Sequence, residues 1–181
     1  MSNKLVIFDF DDTLFPTTEY MITKTFPIEK AIELNTQLTS LFKTLSKRNF
    51  KIIIVTNAEE SWINYWKNYL PILKTVDIYS ARDHYEKEGI SIDDWKKYMY
   101  IHLMTSDKYI KYTYIVGVGD SDRDGEAAIN LYTSLRNLND KLYVRFIQFP
   151  QNSNSKQLIN LLKILPTHPN LLKANSPNLM T

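Results

Sequence analysis

Lys4-Leu5-Val6-Ile7-Phe8-Asp9-Phe10-Asp11-Asp12-Thr13 (KLVIFDFDDT) sets the reading of this chain, because a short apolar run passes directly into three carboxylates within four residues. The run has the length and composition of a strand buried on both faces. The carboxylates then stand at its carboxyl end. Carboxylates crowded into one place repel one another, so some must be protonated or a cation must be present.

The same pattern returns downstream. Apolar, β-branched runs at 51–56, 75–80, 112–118 and 141–148 join the run at 4–10 to make five expected strands. Helical spacing of apolar residues covers 28–45, 59–69, 92–104, 124–135 and 156–164. Strand and helix alternate, which predicts an α/β, Rossmann-like three-layer sandwich around a central five-stranded parallel sheet. Runs such as Ile52-Ile53-Ile54-Val55 suit strands covered on both faces. At 181 residues the chain has the size of one domain, expected over 1–165. From 166 onward Pro, Asn and Ser dominate, with only Leu171-Leu172 and Leu179-Met180 as apolar pairs. The segment 166–181 therefore reads as a loosely packed or disordered C-terminal tail.

Composition narrows the function classes. The chain is 44% hydrophobic and 23% charged, as in soluble globular proteins. Net charge is +2 with Lys and Arg scattered, so no basic stripe supports a nucleic-acid partner and no polybasic segment supports a membrane anchor. There is no cysteine, which rules out disulfides and thiolate zinc sites. No apolar run approaches the roughly 20 residues that span a bilayer. The first strand begins within about five residues of Met1, which leaves no room for a signal peptide. The expected location is the cytoplasm. His84, His102 and His168 show no ligand spacing in the sequence.

In an open parallel sheet, ligands bind outside the carboxyl ends of the strands where strand order reverses. The expected strand ends here carry Asp9, Asp11 and Thr13, then Thr56-Asn57, then Gly117-Val118-Gly119-Asp120-Ser121-Asp122-Arg123-Asp124. Of four glycines in the chain, three (117, 119, 125) fall in or beside this last turn. Such a cluster marks backbone conformations or close approaches that a Cβ would obstruct. The plainer alternative is ordinary turn and helix-cap chemistry.

These residues carry a resemblance. DFDDT at 9–13, IIIVTN at 52–57, a lysine in DDWKKY at 93–98 and VGVGDSDRD at 116–124 resemble the four ordered motifs of the haloacid dehalogenase (HAD) superfamily of phosphohydrolases. The likeness spans roughly 4–150. TNAEESWINYWKNYLP, SARDHYE and DDWKKY further resemble a poorly characterised eukaryotic and viral-type branch, with a small cap or none.

The resemblance implies a magnesium-dependent phosphomonoester hydrolase working through an aspartyl-phosphate. Its magnesium ligands would be the Asp9 carboxylate, the backbone carbonyl of Asp11 and the Asp120 carboxylate, with Asp124 completing the acidic shell. This suits a hard cation that takes oxygen ligands. Asp9 would be the nucleophile and Asp11 the general acid and base; strand periodicity would return Asp11 to the face of Asp9 and turn Asp12 away. Thr56 would supply a hydroxyl and Asn57 a backbone amide to the phosphoryl oxygens, beside a lysine ammonium. Only one of Lys96 and Lys97 can face the site from a helix; the family pattern favours Lys96. Thr13 would support the turn and phosphate pocket. Arg82 would hold an anionic part of the substrate, or else pair with Asp83 or Glu86 at the surface. Trp62 and Trp66 read as one apolar helix face rather than a recognition surface.

There is no space for a large cap domain before Thr56 or between Asn57 and Lys96, so an open site suited to bulky phosphorylated substrates is expected. The alternative is a catalytically silent HAD-fold binding or scaffolding protein. A nucleic-acid-end phosphatase is a special case of the first reading. Oligomeric state and physiological substrate are not legible in the sequence.

Overall fold

The computed structural model describes residues 3–172. Among these residues, Lys4–Phe8 (β1), Phe50–Thr56 (β2), Asp77–Ser80 (β3), Tyr114–Gly119 (β4) and Tyr143–Gln148 (β5) form one sheet in the order β3-β2-β1-β4-β5. Every pairing is parallel. The strand order reverses between β1 and β4, where Phe8 lies opposite Val118 and the Asp9 amide donates to the Val118 carbonyl at 2.8 Å.

Alternation along the central strands builds two cores. Val6, Phe8, Ile52, Ile54, Val116 and Val118 face one side. Leu5, Ile7, Ile53, Val55 and Ile115 face the other. The first side is covered by Ile28–Lys47 (α2), Glu60–Trp66 (α3) and Ser155–Ile164 (α7); the second by Ala81–Tyr85 (α4), Trp95–Thr105 (α5) and Asp122–Leu135 (α6). In α2 the buried residues Ala31, Leu34, Leu38, Leu41, Phe42 and Leu45 keep the three- and four-residue spacing of one helix stripe. The expected three-layer α/β sandwich with five parallel strands is the observed architecture. No described helix is long and apolar enough to cross a membrane.

Several local expectations need correction. β1 ends at Phe8 rather than at residue 10, so Asp9, Asp11 and Asp12 are not strand residues and the alternation that was to place Asp11 and Asp12 does not operate. Instead Asp12 adopts φ 53°, a left-handed turn that aspartate tolerates better than most residues. Its carboxylate accepts from Thr18 N at 2.9 Å and Thr18 Oγ1 at 2.5 Å. This anchors a helix unread in the sequence, Thr17–Thr23 (α1). The helix expected from residue 92 begins at Trp95, after a turn closed by Asp94 N to Ser91 O at 2.9 Å.

The expected tail also starts differently. A 3-10 turn at Leu165–Thr167 and a short helix at Pro169–Leu172 (α8) bury Leu171 completely, and the Tyr114 hydroxyl donates to Asn170 O at 2.6 Å. The remainder of the expected tail, 173–181, lies outside the described residues.

Candidate active site

Asp9 leaves β1 at the strand-order reversal, and Asp120 leaves β4 beside it. Asp124 comes from the first turn of α6. Oxygens of these three carboxylates lie within 4.8 Å of one another. Asp9 is 5% exposed and Asp124 1%, while Asp120 is half-buried.

A close approach makes this packing feasible. A Cβ on Gly119 would stand 2.4 Å from the Asp124 carboxyl carbon, so only glycine leaves Asp124 its place. Asp124 is further held by Ser121, whose backbone N–H and Oγ donate to Oδ2 at 3.1 and 2.7 Å. This is a capping box, and it fixes the Asp124 carboxylate as well as the helix end.

Lys96 supplies the opposing charge. It lies on the buried stripe of α5 with Met99, Tyr100 and Leu103. Its Nζ is 2.7 Å from Asp9 Oδ1 and also pairs with Asp124 Oδ1. Lys97, about 100° round the helix, pairs instead with Asp94 at 3.1 Å and Glu126 at 3.0 Å. The structure thus brings Lys96, and not Lys97, to the acidic cluster.

Electrostatics follow from burial and charge. Burial would lower the Lys96 pKa, but Asp9 and Asp124 outweigh it and hold the ammonium protonated. Burial, with Asp124 and Asp12 adding to it, pushes Asp120 up to about 6. Burial, opposed by Lys96 and reinforced by Asp124 and Asp11, raises the Asp9 pKa well above the usual carboxylate range. Three carboxyl groups share one ammonium here, so by formal charge the site is acidic in excess. An all-oxygen donor set with that excess fits a hard divalent cation.

The Asp11 carboxylate does not join this cluster of three. Its Oδ1 accepts from Thr17 Oγ1 at 2.5 Å and from Trp62 Nε1 at 3.3 Å. Burial raises its pKa, against those two hydrogen bonds. Thr56 is fully buried at the end of β2, where its Oγ1 accepts from Ala58 N at 3.0 Å. Thr13 Oγ1 and Asn57 Oδ1 are buried with no hydrogen-bond partner among the described residues. Trp66 Nε1, in the aromatic core, is likewise buried without a partner among the described residues.

Arg82 is not gathered in: its guanidinium pairs on the surface with Glu86 at 3.2 Å, one of the two alternatives open to it in the sequence, and with Glu59 at 3.1 Å, which was not among them. Trp66 lies in the core as expected, whereas Trp62 is half-buried at its margin. The rings of His84 and His102 approach to 5.2 Å, but among the described residues no third metal-ligating side chain joins them. Thr17 and Trp62 were missed in the sequence. The Thr-Thr-Glu following Pro16 is a helix-start signal that could have found Thr17; nothing local connects Trp62 to Asp11.

No protein-family model and no curated protein sequence matches the chain. Among solved structures it is similar to the HAD domain of the effector protein Lem4 from Legionella pneumophila, with 17% identity over 97% of this chain and 98% of that one, at a TM-score of 0.51. The inactive mutant of the same domain gives 16% identity, 96% and 98% coverage and a TM-score of 0.50. Likeness at this identity speaks to architecture alone: the three-layer α/β sandwich around a parallel sheet is similar to the fold of that domain.

Proposed function

We propose that the protein is a magnesium-dependent phosphomonoester hydrolase that works through an aspartyl-phosphate on Asp9. The observation that carries this reading is the convergence of Asp9, Asp120, Asp124 and Lys96 at the strand-order reversal of the sheet. Asp9, Asp120 and Asp124, with the Asp11 backbone carbonyl, would hold the ion. When bound, magnesium draws charge from the phosphoryl oxygens.

The chain's own residues do the rest. An Asp9 oxygen attacks phosphorus as the bond from phosphorus to the leaving oxygen breaks, and Asp11 gives its proton to that oxygen. The Asp11 carboxylate then takes a proton from water as the water oxygen attacks phosphorus. The bond from Asp9 to phosphorus breaks, inorganic phosphate departs and Asp11 is protonated again. Lys96 keeps its charge throughout and orients Asp9. Thr56 presents a hydroxyl to the phosphoryl oxygens, with the Asn57 amide beside it; Thr13 lines the pocket.

Phosphate release from an aryl phosphate, with and without magnesium, tests the reading in the native protein and in Asp9→Asn. Metal-dependent release lost in Asp9→Asn is the expected result, with a beryllium fluoride adduct located on Asp9. Release that survives the substitution would remove the mechanism. Absence of release from aryl phosphate, phosphoprotein and nucleic-acid ends alike would point to a HAD-fold scaffold.

A further inference from the structure

Asp11 is held by an arrangement that its role as a proton donor does not by itself require. Both of its hydrogen-bond donors, Thr17 Oγ1 at 2.5 Å and Trp62 Nε1 at 3.3 Å, converge on a single oxygen, Oδ1. They reach it from separate elements, Thr17 from the first residue of α1 and Trp62 from α3. Each is fixed in turn. The Asp12 carboxylate holds Thr18, the next residue of α1, at both its amide and its hydroxyl. The Trp62 ring packs against Tyr20 at 5.5 Å, Trp66 at 5.6 Å and Phe15 at 6.3 Å between centroids. An oxygen that accepts from two donors is poorly placed to carry a proton itself, so the exchangeable proton of Asp11 is confined to Oδ2.

We propose that Thr17 and Trp62 are positioning residues for the phosphoryl-transfer chemistry: by occupying Oδ1 together they aim Oδ2 of Asp11 at the leaving oxygen and then at the attacking water. This inference rests on the hydrolase reading above. A bridge that merely ties α1 to α3 would use the same contacts, so the test must separate orientation of a proton donor from general support.

The dependence on leaving group makes that separation. An activated aryl ester such as 4-nitrophenyl phosphate departs with little help from an acid, whereas an alkyl ester such as glycerol phosphate needs the proton. Both substrates would be assayed with the native protein, Trp62→Phe, Thr17→Val and Thr17→Ser. Trp62→Phe keeps a ring in the cluster and loses the N–H; Thr17→Val keeps the shape and loses the hydroxyl. Each is expected to lower kcat/KM, which reports the steps up to cleavage of the bond from phosphorus to the leaving oxygen and not the later attack by water common to both esters, by about 10-fold or more on glycerol phosphate and by less than about 3-fold on 4-nitrophenyl phosphate. Thr17→Ser should restore the alkyl activity. Equal losses on the two substrates, or no loss on the alkyl ester, would overturn the positioning role while leaving the hydrolase reading intact. A native protein that releases phosphate from neither of these esters, nor from phosphoprotein or nucleic-acid ends, would overturn the hydrolase reading itself, and this inference with it.

Discussion

Lys96 lies between two buried carboxylates with its own side chain 5% exposed. Removing one member of a buried ionic group leaves the others uncompensated, at a cost of about 3 kcal/mol or more. Lys96→Met should therefore lower unfolding stability by about that amount in urea titrations without metal, and added magnesium should narrow the deficit. Gly119 makes a complementary case with no charge involved. The Cβ of Gly119→Ala would meet the Asp124 carboxyl at 2.4 Å, and overpacking of this kind costs about 1–3 kcal/mol. Phosphate release should fall with it, because Asp124 and the Lys96 that binds it must both move. Of the candidate site, Asp9 and Asp120 were legible because each follows an apolar strand and Thr56 because it ends one, and strand ends can be read in sequence. Lys96 was legible only through a resemblance, although its stripe with Met99, Tyr100 and Leu103 was there to be read. Trp62 was not legible at all: a contact with a partner 51 residues away depends on the whole fold and leaves no local mark.

At the scale of elements, the edge strand β3 is tied down by charge. Asp77 bonds to Lys51 of β2 at 2.8 Å, to the Tyr109 hydroxyl at 2.9 Å and to Lys108 at 3.2 Å. Burial would raise its pKa, but these partners outweigh burial and bring it from the ordinary 3.8 down to about 2. A carboxyl depressed on folding stabilises the folded state above its unfolded pKa, and that stability is lost as pH falls through the folded value. The contribution should be complete above about pH 4 and gone near pH 2, worth about 1 kcal/mol after allowance for solvent screening at this part-exposed site. Comparing acid unfolding of the native protein with Asp77→Asn measures it: the variant should lose the dependence in that window. Among the elements, the strands and long helices were legible because they carry buried residues at period two or at three- and four-residue spacing. Helix α1 was not, since none of its seven residues is buried and it has no apolar stripe to read. Polar bonds hold it, from the Asp12 carboxylate to Thr18, from Thr17 to Asp11 and from Lys30 and Ser155 to Glu19, so Asp12→Ala should cost about 1 kcal/mol in thermal or urea unfolding, as loss of a local side-chain-to-backbone bond at a helix start does.

For the molecule as a whole, the path from Thr13 to Thr56 holds only α1, α2 and their connections, and that from Asn57 to Lys96 only α3, a 3-10 turn, β3, α4 and a second 3-10 turn. Among the described residues no inserted domain stands in either path. A protein whose site holds surplus negative charge should also be stabilised by the ion that neutralises it. Magnesium at 100 times its dissociation constant would add about 2.7 kcal/mol by mass action and raise the melting temperature. Asp120→Asn should shrink that rise, which a thermal shift titration reads directly. Gly119 has a bearing on descent as well. Any drift at that position towards a residue with a side chain would dismantle the ionic centre without touching Asp9, Lys96, Asp120 or Asp124. A lineage in which the four charged residues persist but position 119 has diversified should therefore be one in which selection on the chemistry has already lapsed.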